Sequence, residues 1–258
     1  MNFIQAVIFG IVEGITEFLP ISSTGHLILT ARLLGVPQTN FIKSFQIAIQ
    51  LGAILSVVVL YWRSLIMDFR VLKRVLAAFI PTAVLGLIFY KFAKQFLLGN
   101  TEVVLWSLFV GGIFLILFEL VYFEKPGATD EIFNISYKKS FLIGIFQFIA
   151  IIPGVSRSAA TILGGLILGL KRRTIVEFSF MLAVPTMLAA TGLDLVKHAG
   201  TFSLDQFIFL SIGFVTSFVA AFLSVKFLLH FIKTHNFISF GIYRVIMALL
   251  FWFFIIWR

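Results

Sequence analysis

Apolar stretches separated by short polar segments run along the whole of this chain, and their lengths limit what it can fold into. An α-helix needs ~20 residues to cross the hydrocarbon core of a bilayer. Most of the stretches approach or exceed that length, but 24–35 and 157–170 are too short. The pattern predicts an all-α integral membrane protein in which not every helix crosses. The stretches lie at 3–19, 24–35, 45–62, 75–92, 103–123, 137–152, 157–170, 176–195, 207–229 and 237–257.

The charge content predicts a single membrane domain over residues 1–258. Charged residues make up 12% of the chain, against roughly 25% in soluble domains. The net charge of +9 indicates basic loops at a membrane face rather than a nucleic-acid partner, which we do not expect. The chain has no cysteine, which excludes disulfides, thiolate metal sites and a cysteine nucleophile.

The two short stretches each follow a proline, in "FLPISS" and "IIPGVS". Proline ends the preceding helix, and a serine or threonine after it can cap the next one. The five stretches of each half share one spacing, and adding 133 relates Pro20 to Pro153 and Ser23 to Ser156. The common spacing predicts two structural repeats. Repeat one is 1–123 and repeat two is 137–258.

Each repeat is predicted to hold a re-entrant helix hairpin followed by three transmembrane helices. This makes six spans and two hairpins; eight full spans is the alternative. An odd number of crossings gives the repeats inverted topology. Twelve Lys and Arg residues then fall on one side and six on the other, which predicts that the first side is cytoplasmic and both termini are outside. The hairpin tips should meet near the midplane, where non-helical backbone must be buried or line a wet cavity.

The segment "EGITEFLPISSTGH" holds two carboxylates at helical spacing. Glu13 and Glu17 lie one turn apart on one face of the first helix. Ionised carboxylates in lipid are costly, so this pair requires a divalent cation, an arginine or a shared proton. Oxygen ligands with partial water access suit Mg²⁺ or Ca²⁺. A purely structural pair of carboxylates beside an arginine is the alternative.

Ser22, Ser23 and Thr24 open the helix after the first break. Their hydroxyls, the free N–H groups of the first turn and the positive end of the helix dipole make an anion site. Simple helix capping is the alternative for each of them. His26 follows on the same turn. Because two acids and three hydroxyls lie in the same short segment, a functional role is favoured over a packing role.

The segment "PGVSRSAAT" forms the second break. Arg157 lies between Ser156 and Ser158 at a helix start, and its guanidinium fits phosphate or carboxylate with two hydrogen bonds. Gly154 permits close approach of the backbone. Neutralisation of the glutamates is the alternative role of Arg157, and both roles can hold together. Weaker candidates elsewhere are Gln50, Gln147, Glu177, Asp194 and Arg244.

These two segments, with "QLGAILSVVV" and "EFSFMLAVPTM", closely resemble the bacterial undecaprenyl-diphosphatase family, also called bacitracin-resistance proteins. The groups at the two tips by themselves indicate phosphate chemistry without separating hydrolysis from transport. The resemblance covers essentially the whole chain. It implies removal of the terminal phosphate of undecaprenyl diphosphate, which recycles the carrier lipid for peptidoglycan synthesis. The family's motif residues match Glu13, Glu17, Ser22, Ser23, Thr24, His26, Ser156, Arg157 and Ser158.

The resemblance also implies a divalent cation, Mg²⁺ or Ca²⁺, and a bacterial plasma (inner) membrane enzyme whose active site opens to the outer face. The expected partners are a polyprenyl diphosphate lipid and membrane lipid, and a homodimer is left open. The hypothesis makes Arg157 the phosphate clamp and Glu13 and Glu17 the metal ligands. Ser23, Thr24 or His26 attacks the terminal phosphorus or activates a water. Further phosphate-binding groups are Ser22, Ser23, Thr24, Gly154, Ser156 and Ser158.

Two other classes of protein remain as alternatives at this point. A lipid flippase would also use inverted repeats and broken helices. A type-2 phosphatidic acid phosphatase has Ser-Gly-His and Ser-Arg elements like "SSTGH" and "SRS". That family needs a second histidine six residues after the arginine, where this chain has Leu163, and its Lys-rich element is missing.

Overall fold

The chain is all-helical in the computed structural model, which describes residues 1–37, 39–93, 95, 100–198 and 204–256. These ranges contain no β-strand. Side chains at 40, 193–198, 204–205 and 255–256 are outside the description, and the candidate Asp194 is among them. The α-helices of the described ranges are α1 (Phe3–Thr16), α2 (Ser23–Leu33), α3 (Asn40–Trp62), α4 (Phe69–Phe92), α5 (Thr101–Val121), α6 (Tyr137–Phe148), α7 (Arg157–Ile167), α8 (Arg172–His198), α9 (Leu204–Phe231) and α10 (Ile238–Ile256).

Five helices of the described chain are long and apolar enough to cross a membrane, namely α3, α4, α5, α8 and α9. The last helix, α10, has 19 residues, which is also within the ~17–25 residues that a span needs. Each of these helices coincides with one of the long apolar stretches. The predicted all-α, multi-pass membrane protein is confirmed.

The four remaining helices are short and form two consecutive pairs, α1 with α2 and α6 with α7. They have 14, 11, 12 and 11 residues in chain order. Within each pair, the two α-helices are separated by a break that contains the proline, as predicted, and the second break begins with a 3₁₀ turn over Ile149–Ile151. Ser22 and Ser156 cap the second helix of each pair with φ of 72° and 78°. They are the non-glycine residues with positive φ in the described chain, a conformation that persists only where its surroundings enforce it.

Structural landmarks recur 134 positions apart in the two halves. Asn2 and Ser136 cap α1 and α6, Ser22 and Ser156 cap α2 and α7, and Gly35 and Gly169 follow those helices with positive φ. The predicted pairing of Ser23 with Ser156 is therefore wrong by one residue. The reason is that one more residue lies between proline and cap in the second turn, so the prolines are 133 apart but the caps are not.

The two halves interlock through close helix crossings. Helix α1 of the first half packs on α9 of the second, and α6 of the second packs on α4 of the first. A Cβ on Gly10 would lie 1.9 Å from Thr216 Oγ1, and one on Gly144 would lie 1.9 Å from the carbonyl oxygen of Ala78. Thr82 Oγ1 donates to the Gly144 carbonyl at 2.8 Å. Small residues thus let the backbones approach, as is common between membrane helices.

Candidate active site at the two helix breaks

A cavity of about 260 Å³ lies where the two helix breaks meet. Its wall is formed mainly by the segments after α1 and after α6, with contributions from α3 and α8. Polar groups come from both breaks and apolar groups from the flanking helices. The lining residues are Glu17, Ser22, Ser23, Thr24, Gln50, Ala150, Ile152, Pro153, Gly154, Ser156, Arg157, Met187 and Ala190.

Glu17 and Arg157 join the two breaks through a nearly buried ion pair. Arg157 Nη2 donates to Glu17 Oε1 at 2.9 Å, and the side chains are 13% and 6% exposed for Arg157 and Glu17 respectively. Arg157 Nη1 donates to the Ser179 carbonyl at 2.9 Å, while its Nε has no hydrogen-bond partner among the described residues. Such a pair is costly to break, because either charge alone would be left buried. This contact is the one that the alternative role of Arg157, neutralisation of a glutamate, requires.

Ser23 is held by the other oxygen of the same carboxylate. Ser23 Oγ donates to Glu17 Oε2 at 2.5 Å, and both residues line the cavity. The hydroxyl proton therefore points at a carboxylate while the oxygen lone pairs remain available. A nucleophile beside a base that a third group orients is the usual arrangement for covalent catalysis. Arg157 binds the other oxygen of this carboxylate.

The N-termini of α2 and α7 both begin at the cavity. Ser22 Oγ accepts from Gly25 N at 3.4 Å and Ser156 Oγ accepts from Ala159 N at 3.2 Å. Each cap takes one of the first-turn N–H groups, and the others have no partner within their helix. Thr24 is the exposed residue of the first turn. The cavity therefore has two helix N-termini with free N–H groups beside the Arg157–Glu17 pair, and helix N-termini suit an anion.

Glu13 lies behind the cavity and is fully buried. Within the described part of the chain, neither of its carboxylate oxygens has a hydrogen-bond partner, and it does not line the cavity. A buried carboxyl group in this state needs a proton or a cation. No group of three His, Asp or Glu side chains suited to a metal occurs in the described part of the chain. The two glutamates nevertheless fit a hard cation, because Mg²⁺ is commonly held by one or two carboxylates with water and phosphate oxygens.

His26 points away from the cavity and is buried against α10. Its Nδ1 lies 2.7 Å from the Ser22 carbonyl and its Nε2 lies 2.8 Å from Tyr243 Oη. A carbonyl only accepts, so Nδ1 carries the proton and Nε2 accepts from the tyrosine hydroxyl. The ring thereby holds Ser22 in its positive-φ conformation. The structure does not bring the His26 ring to the cavity wall.

Ser158 and Gly154 pack the second break against the first break and α5, respectively. Ser158 is fully buried, its Oγ donates to the Phe18 carbonyl at 2.8 Å, and it does not line the cavity. Gly154 does line it, with φ of 95°, and an added Cβ would lie 2.6 Å from the Val104 carbonyl. The close approach expected of Gly154 is therefore made to α5.

Three weaker candidates and two further residues complete the surroundings. Gln50 lines the cavity. Gln147 Nε2 donates to threonine hydroxyls on α4 and α8, and Glu177 accepts from exposed Arg173. Ser179 and Tyr243, which hold Arg157 and His26, were not found from the sequence. They lie in apolar segments with no spacing signal, and only Ser179 falls within a motif of the resemblance.

These features define a multi-pass membrane protein with a polar cavity between two helix breaks, built around an arginine–carboxylate pair and a serine. The sequence model of the family described as bacitracin resistance protein BacA matches residues 6–250. The chain belongs to this family. It is 54% identical over 247 residues to an undecaprenyl-diphosphatase of Aquifex aeolicus, with 96% of both chains covered. An undecaprenyl-diphosphatase of Sulfurihydrogenibium sp. is 52% identical over 98% of this chain and 99% of its own length. One of Campylobacter jejuni is 46% identical, covering 98% of this chain and 94% of its own.

Proposed function

We infer that this chain hydrolyses undecaprenyl diphosphate to undecaprenyl phosphate and inorganic phosphate. It is a membrane phosphatase that recycles the carrier lipid for peptidoglycan synthesis and confers bacitracin resistance. Membership of the BacA family and relatives named undecaprenyl-diphosphatase support this function. The observation that carries it is the cavity in which Ser23, Glu17 and Arg157 form one hydrogen-bonded chain.

The membrane arrangement we propose has two inverted repeats, each a re-entrant hairpin followed by three spans. The landmarks 134 positions apart support the repeat. The helix crossings between the two halves also support the repeat. Gly10 packs on Thr216 and Gly144 packs on Thr82. The two glycines are 134 positions apart, and so are the two threonines. An odd number of crossings per repeat then inverts the second. The excess of basic residues on one side favours a cavity open to the outer face of the inner membrane, with both termini outside.

In the proposed reaction the diphosphate lies at the two helix N-termini with its terminal phosphate against Arg157. The C55 chain stays in lipid, so only the headgroup enters the cavity. Catalysis of phosphoryl transfer is mainly positioning and charge stabilisation. The first-turn N–H groups and the hydroxyls of Ser22, Thr24 and Ser156 supply hydrogen bonds to phosphate oxygens.

Ser23 is the nucleophile in this scheme and Glu17 its base. Ser23 Oγ forms a bond to the terminal phosphorus while the bond from that phosphorus to the bridging oxygen breaks, releasing undecaprenyl phosphate. The hydroxyl proton passes to Glu17 along the 2.5 Å hydrogen bond. Glu17 gives this proton to the departing undecaprenyl phosphate, which restores the carboxylate. A water then attacks the phosphoserine phosphorus while the bond from that phosphorus to Ser23 Oγ breaks. Glu17 takes a proton from the water and returns it to Ser23 Oγ as inorganic phosphate leaves. Thr24 hydrogen-bonds the substrate, and His26 acts by holding Ser22 rather than as the nucleophile.

Glu13 and Glu17 would hold the proposed Mg²⁺ or Ca²⁺. Glu13 is suited to this because both of its oxygens are buried without a partner. When bound, the cation neutralises negative charge on the phosphate oxygens. Glu17 would then bind the cation and also accept the hydrogen bond from Ser23.

The experiment is phosphate release from C55 diphosphate by purified protein, with and without a chelator. Ser23→Ala is compared with Ser56→Ala, which removes the same hydroxyl from a buried residue of α3 outside the cavity, where it donates to the Ala53 carbonyl of its own helix. Loss of release in the first variant with retention in the second supports the scheme. Movement of the lipid between leaflets without phosphate release would instead indicate a flippase. Undiminished release under chelator would remove the cation from the proposal.

A further inference from the structure

Arg244, a fully buried arginine near the middle of α10, contacts both helix breaks at once. Its Nη1 donates to the Pro20 carbonyl at 3.4 Å and to the Val155 carbonyl at 3.0 Å. Its Nη2 donates to the Gly154 carbonyl at 3.0 Å and to the Ser107 carbonyl of α5 at 2.9 Å. One side chain therefore binds the first break, the second break and a transmembrane helix.

Among the residues that the structure describes, Arg244 has no acidic partner to account for its burial. Arg244 forms no salt bridge within the described residues, whereas Arg172, a partly buried arginine at the start of α8, binds Glu119 through both terminal nitrogens. Gly111 makes room for it, since an added Cβ there would lie 2.2 Å from Arg244 Nη2. Charged side chains inside a membrane protein are costly and are retained chiefly where function needs them. The groups that Arg244 binds are backbone carbonyls.

The neighbouring residue on α10 reaches the first break by a second route. Tyr243 Oη contacts His26 Nε2 at 2.8 Å, and His26 Nδ1 binds the Ser22 carbonyl at 2.7 Å. Two consecutive residues of α10 thus hold the segment between Pro20 and Ser22. That segment sets where Ser23 and the N-terminus of α2 lie relative to Arg157.

We propose that Arg244 is a positioning residue that holds the two breaks at the separation the cavity requires. Within the described residues, Arg244 makes no hydrogen bond to the side chain of Ser23 or Glu17. It acts through the Pro20, Gly154 and Val155 carbonyls. The planar guanidinium suits this because it directs two donors from each terminal nitrogen in fixed directions, whereas an ammonium is a single compact donor centre. The expected fall in kcat rests on the proposed hydrolysis. The expected opening of the first break rests on geometry alone.

The kinetic test compares Arg244→Met and Arg244→Lys with wild type in phosphate release from C55 diphosphate. Misplacement of reacting groups by ~1 Å can cost about 100-fold in rate, so kcat should fall by about that factor in both variants while KM changes little. Arg172→Lys is the matched control, since it alters a partly buried arginine whose side chain binds Glu119 rather than the breaks, and it should keep kcat near wild type. Full kcat in either Arg244 variant overturns the proposal.

The structural test needs no catalysis and uses the absence of native cysteine. Ile21→Cys, at a residue 4% exposed within the first break, and Leu29→Cys, at a residue 1% exposed further along α2, are labelled with a charged thiol reagent. Adding Arg244→Met should raise the labelling rate at position 21 by about 10-fold or more and leave position 29 slow, since exposure follows local opening. No rise at 21 overturns the proposal, and so does an equal rise at 29, which would indicate a role in the whole fold. If wild type releases no phosphate, the proposed hydrolysis fails, while the labelling comparison still decides the position of the breaks.

Discussion

Ser23 Oγ donates a 2.5 Å hydrogen bond to Glu17 Oε2. The two residues are six positions apart and lie on opposite sides of the first helix break, because Glu17 follows the last residue of α1 and Ser23 is the first residue of α2. The turn between them brings a hydroxyl and a carboxylate into contact at the wall of a cavity. A continuous helix would not do so, since residues six apart do not face each other on it.

Removing the Ser23 hydroxyl should abolish turnover while leaving the fold intact. For Ser23→Ala we expect kcat to fall by on the order of 10⁴-fold or more, as for loss of a nucleophile. Glu17→Gln keeps the shape of the side chain but loses the base, which should cost about 10²–10⁴-fold. The measurement is single-turnover phosphate release, with labelled phosphoserine sought in the wild-type protein. A Ser23→Ala variant that retains more than a tenth of wild-type kcat would exclude Ser23 as nucleophile.

Replacing Arg157 should affect substrate affinity and stability together. Arg157→Lys keeps a charge but loses the two-nitrogen geometry, so kcat/KM should drop about 10- to 100-fold, the equivalent of one charge-assisted hydrogen bond. Arg157→Ala leaves Glu17 unpaired and should destabilise the protein by about 3–5 kcal/mol. The exposed pair of Arg173 with Glu177 is the control, since Arg173→Lys should change stability by less than about 1 kcal/mol. Kinetics with C55 diphosphate and thermal unfolding in detergent measure the two effects, and unchanged KM and kcat in Arg157→Ala would exclude the phosphate clamp.

Substitutions at His26 separate positioning from acid–base catalysis. An asparagine amide can replace the Nδ1–H donor to the Ser22 carbonyl but cannot accept and release protons as an imidazole does. His26→Asn should therefore retain activity within about 10-fold, the worth of the single hydrogen bond to Tyr243 that it loses. His26→Ala, which lacks the donor, should lose substantially more. Equal and severe losses in both variants would indicate that the imidazole itself takes part in the chemistry.

Close helix crossing should make Gly144 intolerant of a side chain. A Cβ there would lie 1.9 Å from the Ala78 carbonyl and 2.6 Å from Pro81 Cγ, and backbone cannot move aside cheaply. Gly144→Ala should destabilise the protein by about 1–3 kcal/mol, as overpacking does. Gly86→Ala is the matched control on α4, since no atom of the described residues lies within 4 Å of the added Cβ. Thermal unfolding in detergent should separate the two, and equal melting temperatures would contradict the crossing.

Helix positions and part of the site could be predicted from local sequence. Apolar length identified the helices, and proline with the following serine identified both breaks, because these signals depend on a few consecutive residues. The pairing of Arg157 with a glutamate followed from charge, since a buried arginine and buried acids seek each other. Arg244 was noticed as a charge inside a span, but its partners were not predictable. They are main-chain carbonyls, which every residue has and which leave no mark in the sequence.

The sequence by itself determined that this chain is a multi-pass helical membrane protein with two polar breaks that indicate phosphate chemistry. Only the tertiary structure decided which polar groups meet in one cavity. It brought Ser23, Glu17 and Arg157 together, and it turned His26 toward Tyr243 and Ser158 toward the Phe18 carbonyl. The physical reason is that side-chain direction at a non-helical turn depends on backbone angles and on packing between distant helices, here the positive φ of Ser22 and Ser156. Neither follows from residue spacing along the chain.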